Sequence, residues 1–171
     1  MKHPVPQVGP IDDLIEATLQ RTGARSGARA SAAAAAAASH SGASEKPRAS
    51  ADPGLDARLT EQLKKGVAAL LDKKAEKLVV LNLQGLTTIS DYFVLATAGS
   101  DRQAQALSDA VELALKAVGR RPISIEGYSS AAWILLDYGD VVFHVFHDEA
   151  RRFYGLERLW GDAPDATAAF R

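Results

Sequence analysis

Residues 133–147 read W-I-L-L-D-Y-G-D-V-V-F-H-V-F-H, and this stretch decides the class of fold. Two runs of apolar, β-prone residues flank a short polar break at Asp137-Tyr138-Gly139-Asp140. A Gly-Asp break between two such runs is typical of a β-hairpin. Because the runs are almost entirely apolar and do not alternate, we expect both strands to be covered on two faces, inside a sheet with helices packed on it.

The rest of residues 55–162 supplies the elements that surround this hairpin. Ser100 is the predicted N-cap of a helix, Gln103 completes its capping box, and Gly119 follows its C-terminus. Apolar spacing predicts helices over 56–74, 101–118 and 149–154, and β-prone runs predict strands over 77–83, 92–98, 123–127 and the two arms of the hairpin. This order predicts an α/β (α+β) fold, a mixed five-stranded sheet with helices packed on it.

Residues 1–54 differ in composition from the rest and are rich in Ala, Ser and Pro. Such a stretch has little to bury and is expected to be a disordered leader. Within it, residues 11–20 place apolar side chains on one stripe, which predicts a short amphipathic helix. A lone helix of this length is marginal in water, so it docks on another surface or frays, and fraying is favoured. At the other end, residues 163–171 are expected to form a flexible tail.

Composition excludes several classes of protein. The 171 residues carry 20 Lys and Arg against 21 Asp and Glu, so the net charge of −1 gives no general attraction to nucleic acid or anionic membranes. The absence of cysteine excludes disulfides, thiolate metal sites and a cysteine nucleophile. Without a long apolar run or a secretory signal, we expect no membrane association and a cytoplasmic location.

A strand-to-helix turn at Gly99-Ser100 has the outline of a phosphate-binding turn, because N–H groups at a helix N-terminus attract anions. Nucleotidyltransferases follow such a turn with an Asp-x-Asp pair that holds metal ions. Here Asp109 and Glu112 lie within a predicted helix, and the domain contains no Asp-x-Asp. We predict no catalytic, cofactor or metal-binding residue, and keep a nucleotidyltransferase-like enzyme using this turn as the alternative.

Two histidines, His144 and His147, lie three residues apart in a predicted strand. Side chains alternate along a strand, so this odd spacing places the two rings on opposite faces of the sheet. They are therefore not expected to share a zinc ion, and His144 is expected to be a half-buried residue of the sheet.

The hairpin itself offers a surface argument. Exposed aromatic side chains beside carboxylates would suit docking onto a basic protein, the aromatics as anchors and the carboxylates as steering charges. Trp133, Asp137, Tyr138 and Asp140 are the candidates. In the alternative interpretation Trp133 is a core residue and the aspartates only form the turn. The residues alone leave both interpretations open.

Four blocks of this chain closely resemble the ribosomal silencing factor family, also called Iojap-like proteins. The blocks occur in the family's order and together cover roughly residues 57–162. They are S-D-Y-F-V-L-A-T-A-G-S-D-R-Q (90–103), R-P-I-S-I-E-G-Y (121–128), W-I-L-L-D-Y-G-D-V-V-F-H-V-F (133–146) and F-Y-G-L-E-R-L-W (153–160).

The resemblance implies a nucleotidyltransferase-like fold without catalytic residues. It implies a translational repressor that binds the large ribosomal subunit at its ribosomal protein fourteen, on the face that meets the small subunit. Occupying that face would block subunit joining, chiefly under nutrient limitation. The resemblance also implies a role in large-subunit biogenesis and a homodimer off the ribosome, with no sequence-specific contact to nucleic acid.

The resemblance also carries residues onto this chain. The hairpin residues already named, Trp133, Asp137, Tyr138 and Asp140, match the contact hairpin of the family. Asp91 and Glu126 match acidic positions of the family. All six are therefore expected to bind the partner.

Overall fold

The computed structural model describes residues 53–171, with side chains from residue 57 onward. These residues belong to the second of two compact units, which spans Glu45–Arg171. The predicted helix 11–20 and nearly all of the leader 1–54 lie outside the described residues, and both stay predictions.

Ten helices and strands make up this part of the chain. In order they are α1 (Pro53–Asp72), β1 (Glu76–Asn82), β2 (Tyr92–Ala98), α2 (Asp101–Lys116), β3 (Ser124–Glu126), β4 (Trp133–Asp137), β5 (Val141–His147), α3 (Asp148–Tyr154), α4 (Leu156–Leu159) and α5 (Thr167–Phe170). Among them no helix combines the length and the apolar character needed to cross a membrane.

The strands form one sheet in the order β1-β2-β5-β4-β3. β2 and β5 are parallel, and the other neighbouring pairs are antiparallel. The predicted mixed five-stranded sheet with packed helices is therefore confirmed. Its hairpin, β4 and β5, lies at the centre of the sheet because β5 also pairs with β2.

Helices α1 and α2 cover one face of the sheet. Their apolar stripes pack against the central strands. The large fully buried residues of the helices and the strands here are Leu63, Val67, Leu70, Leu107, Val111, Leu115, Ile134, Leu136 and Phe143. Gly66 makes this packing close, since a Cβ atom there would lie 2.3 Å from the Phe143 ring. A larger residue at this position of α1 would push the helix off β5.

The predicted capping box at the start of α2 is confirmed. The Gln103 N–H donates to Ser100 Oγ at 3.1 Å, and the Gly99 N–H donates to Gln103 Oε1 at 2.8 Å. The side-chain nitrogen of Gln103, Nε2, also donates to the carbonyls of Lys73 and Lys74, at 3.3 and 3.1 Å. One side chain therefore satisfies orphan groups at the end of the α1 segment and at the start of α2.

The opposite face of the sheet carries a cluster of aromatic side chains covered by α3, α4 and the chain that follows. The ring centroid of Phe93 lies 4.7 Å from that of His144 and 5.9 Å from that of Trp160. Trp133 lies 4.8 Å from Phe146. Both faces of the hairpin are thus covered, as the apolar runs predict.

His144 lies inside this aromatic cluster and is only 3% exposed, which is more buried than predicted. Its Nδ1 accepts a hydrogen bond from Trp133 Nε1 at 3.2 Å. Because burial disfavours the charged imidazolium, the pKa of His144 is lowered to about 3. His147 lies in the other orientation along β5, with Nε2 2.8 Å from Asp101 Oδ1, so the two rings share no site.

Arg151 joins α3 to the sheet and to α4. Its Nη1 donates to the Lys77 carbonyl at 2.5 Å and to Thr97 Oγ1 at 2.8 Å, while Nε donates to Glu157 Oε1 at 2.7 Å. Lys77 lies at an irregular point of β1 and has a φ of 46°. The buried guanidinium therefore supplies donors to an irregular strand whose carbonyl would otherwise lack one.

The expected flexible tail at residues 163–171 is wrong. The Ala166 N–H donates to the Val80 carbonyl at 2.8 Å, and the Val80 N–H donates to Thr167 Oγ1 at 2.9 Å. Phe170 packs against the core. The segment occupies the outer edge of β1, where it satisfies backbone groups that an edge strand leaves unpaired.

Replacing Arg151 with Met should lower the free energy of unfolding by about 2–3 kcal/mol, because Thr97 Oγ1 and the Lys77 carbonyl lose their donor in a buried place. Urea denaturation measures this loss. The control is Arg152→Met, whose exposed ion pair with Asp148 should change stability by less than about 1 kcal/mol. Equal effects of the two variants would contradict the role of Arg151.

His144 should make the protein sensitive to acid. The unfolded imidazole keeps its ordinary pKa near 6.5 while the folded pKa is about 3, so the unfolded chain takes up the proton first. The stabilisation is present above pH 6.5 and is lost as the pH falls, by about 2 kcal/mol between pH 7 and pH 5. In His144→Gln, which does not titrate, this part of the pH dependence should vanish. Identical pH profiles of unfolding for the two proteins would refute this assignment.

Candidate partner-binding site

The turn of the hairpin is built by its own polar residues. The Tyr138 N–H donates to the Val141 carbonyl at 3.0 Å, and the Gly139 N–H donates to Asp137 Oδ1 at 2.7 Å. Gly139 has a φ of 87°, a conformation that favours glycine. The predicted hairpin is confirmed, and Asp137 has the turn-forming role that one of the two interpretations gave it.

Trp133 does not project from the hairpin, so the expectation of an exposed anchor is wrong. Its side chain is 3% exposed and lies beneath α3, with ring centroids 4.7 Å from Tyr154 and 4.8 Å from Phe146. Trp133→Ala would leave a cavity in the core and lower the stability of the fold. A loss of binding in this variant would therefore not identify Trp133 as a contact.

Tyr138 is also only 3% exposed, so the expectation that its side chain is exposed is wrong as well. The side chain points to the helix-covered face, where its ring packs edge-on against Phe143 at 5.8 Å. Burial raises the pKa of Tyr138 to about 12, the Glu112 carboxylate adds to this, and the Arg120 guanidinium opposes it. The phenol is therefore neutral at physiological pH.

Asp140 is engaged within the chain. Its Oδ1 accepts a hydrogen bond from Arg120 Nη2 at 2.7 Å, and the Asp140 side chain is 22% exposed. The same Arg120 nitrogen donates to the Tyr138 carbonyl at 3.0 Å. Sequence reasoning missed Arg120, because it lies 20 residues before Asp140 and beyond the end of α2.

The backbone of Asp140 holds the chain that leads into β2. Its carbonyl accepts hydrogen bonds from Ser90 Oγ at 2.8 Å, the Asp91 N–H at 2.9 Å and the Tyr92 N–H at 3.1 Å. Asp91, a predicted partner-binding residue, is thereby fixed beside the hairpin turn.

Glu126 and Asp137 lie on one face of the sheet, the face opposite α1 and α2. In the β3–β4 register Ser124 pairs with Asp137 and Glu126 pairs with Leu135, so these side chains point the same way. Ser124 Oγ donates to Glu126 Oε1 at 3.3 Å. Both carboxylates are half-buried and lie near the β3 edge. We use the name acidic surface for three half-buried acidic residues, Asp91 before β2, Glu126 on β3 and Asp137 on β4.

Ile123 is an exposed apolar residue that sequence reasoning did not single out as a contact. Its side chain is 56% exposed, and its N–H donates to the Asp137 carbonyl at 2.6 Å. A Cβ atom on Gly139 would lie 3.3 Å from Ile123 Cδ1, so the residue borders the hairpin turn. Ile123 is thus an exposed apolar side chain beside the hairpin turn. A single isoleucine after a proline carries no local signal of this kind.

The Gly99-Ser100 turn uses some of its backbone N–H donors within the chain. The Gly99 N–H and the Gln103 N–H both donate to acceptors of the capping box. Within residues 53–171, no three His, Asp or Glu side chains gather where they could hold a metal ion. The geometry of this turn adds no support to the enzymatic alternative.

Comparison with known proteins identifies relatives over most of the described residues. The family model "Ribosomal silencing factor during starvation" matches residues 56–170. Proteins named ribosomal silencing factor RsfS from Halalkalibacterium halodurans and Bacillus subtilis are 44% and 42% identical to this chain. The alignments cover 61% and 63% of this chain, and 89% and 92% of those proteins. A maize protein named Iojap, chloroplastic, is 31% identical over 76% of this chain and 56% of its own length.

Solved structures agree with these matches. A crystal structure of a Chromobacterium violaceum protein is 37% identical and superposes with a TM-score of 0.59, over 60% of this chain and 86% of that one. A Bacillus halodurans protein is 41% identical with a TM-score of 0.54, over 58% of this chain and 93% of that one. The chain belongs to the ribosomal silencing factor (RsfS) family.

Proposed function

We propose that this chain is a translational repressor that binds the large ribosomal subunit and blocks its joining with the small subunit under nutrient limitation. Its docking point is ribosomal protein fourteen of the large subunit, on the face between the subunits. The observation that carries this proposal is the family match over residues 56–170, because the family is one of ribosome-associated silencing factors. A role in large-subunit biogenesis, self-association off the ribosome and a cytoplasmic location belong to the same proposal.

Repression of this kind needs no chemical step. A bound protein excludes a second large body from the surface that it occupies, and a stable interface needs about 800 Å² from each partner. Affinity and rigidity are then the properties that matter. The described domain supplies rigidity through a sheet whose central strands are buried on both faces.

The contact surface in this proposal is the acidic surface together with Ile123. The carboxylates of Glu126 and Asp137 would steer a basic partner and fix its register, and Ile123 would supply buried apolar area. Trp133 and Tyr138 contribute from beneath, as the packed support of the hairpin.

Removing two charges from the acidic surface should weaken binding to large subunits. Glu126→Gln with Asp137→Asn removes both negative charges, while the Asn oxygen still accepts from the Gly139 N–H. We expect affinity to fall about tenfold, and the remaining binding to depend less on salt. Co-sedimentation with purified large subunits at several salt concentrations measures this.

The matched control is Glu149→Gln with Asp162→Asn, which removes two exposed carboxylates elsewhere in the domain. This variant should bind like the original chain and should still inhibit subunit joining, followed by light scattering. If both double variants bind equally well, the acidic surface is not the contact. If the unaltered chain neither sediments with large subunits nor slows joining, the proposed function fails.

A further inference from the structure

The hairpin turn and the loop after α2 are joined by one side chain. Arg120 Nη2 lies 2.7 Å from Asp140 Oδ1 and 3.0 Å from the Tyr138 carbonyl oxygen. The ion pair is partly screened from water, with side-chain exposures of 38% for Arg120 and 22% for Asp140. A charge-assisted bond in such a place holds its two partners in one geometry.

The backbone of Asp140 connects this ion pair to Asp91 of the acidic surface. While its carboxylate is held by Arg120, its carbonyl accepts bonds from Ser90, Asp91 and Tyr92. The path therefore runs from the loop after α2, through the hairpin turn, to the residue that opens β2. Asp91 lies on this path, and Asp137 forms the adjoining turn.

We propose that Arg120 and Asp140 form an internal clamp that positions the partner-binding surface, and that Asp140 does not itself contact the partner. This inference rests on the proposed function and assigns Arg120 as a positioning residue. It replaces the expectation, drawn from resemblance, that Asp140 binds the partner directly.

Charge decides between the clamp and a direct contact. A basic partner that captured Asp140 would have to separate it from Arg120, and the freed guanidinium would then face a surface of its own sign. With the clamp closed, the two charges cancel locally and the partner meets the carboxylates of the acidic surface. The closed arrangement is therefore the one that suits a cationic partner.

The two models predict opposite effects of removing the arginine. If Arg120 is a clamp, Arg120→Met should weaken binding to large subunits by about three- to tenfold, because the turn and Asp91 lose their restraint. If Asp140 is a direct contact, the same variant frees its carboxylate and should bind more tightly. Arg121→Met is the matched control, since it removes the same charge from an exposed neighbour. Co-sedimentation at fixed salt measures the affinity of the original chain, Arg120→Met and Arg121→Met for large subunits.

Exchange of the two charges gives a second test. In the variant Arg120→Glu with Asp140→Arg the ion pair can re-form in reverse. Multiplying the fold-losses in affinity of the two single variants gives the loss expected without coupling. The clamp predicts that the double variant's fold-loss is smaller than this product by a factor of at least about five. A direct contact predicts losses that multiply, because an arginine at position 140 repels a basic partner. Multiplying losses would overturn the clamp.

Amide hydrogen exchange tests the clamp in the free protein. The Asp91 and Tyr92 amides, which donate to the Asp140 carbonyl, should exchange faster in Arg120→Met and at the original rate in Arg121→Met. Unchanged rates in Arg120→Met would refute the clamp whether or not the protein binds ribosomes. If Arg120→Met fails to fold, Arg120→Gln carries the same two measurements. If the unaltered chain does not sediment with large subunits, the proposed function fails while the exchange result still decides the clamp.

Discussion

Burial of β5 on both of its faces is the constraint on which the rest of this structure depends. Six of its seven residues are buried, and it pairs with β2 on one side and β4 on the other. A strand in that position needs a layer of structure above and below it. The long helices α1 and α2 form one layer, and the short helices α3 and α4 help to form the other. The aromatic residues of the hairpin belong to these layers, so they are not exposed at the edge of the sheet.

Two arginines join separate elements of the fold by hydrogen bonds, a role that the net charge of the chain does not indicate. Arg151 fastens α3 and α4 to an irregular point of β1 and to Thr97 of β2. Arg120 joins the loop after α2 to the hairpin turn. Each guanidinium satisfies a backbone carbonyl together with a carboxylate, a combination that its planar fork of donors suits. The carboxylates that pair with them are consequently less available to a partner than their presence in the sequence indicates.

A protein that silences by occupying a surface needs a shape that does not yield when the partner binds. The described domain meets this requirement with a capped α2 and an outer edge of β1 covered by the C-terminal segment. At its strand-to-helix turn, the N–H groups of Gly99 and Gln103 donate within the capping box. Glu126 and Asp137 are half-buried on the sheet face opposite α1 and α2, and Ile123 is exposed beside the hairpin turn.

The sequence by itself determined the class of fold, the hairpin and the capping box of α2, because each depends on spacing within a few residues. It also carried the resemblance to the family, in blocks of fewer than twenty residues. Only the tertiary structure decided that Trp133 and Tyr138 are buried, that Arg120 holds Asp140, and that residues 163–171 lie along β1. These contacts join groups 20 and 87 residues apart, as with Asp140 and Arg120 or Thr167 and Val80. No local pattern encodes which of two covered faces a side chain enters, because that depends on the layer that packs there.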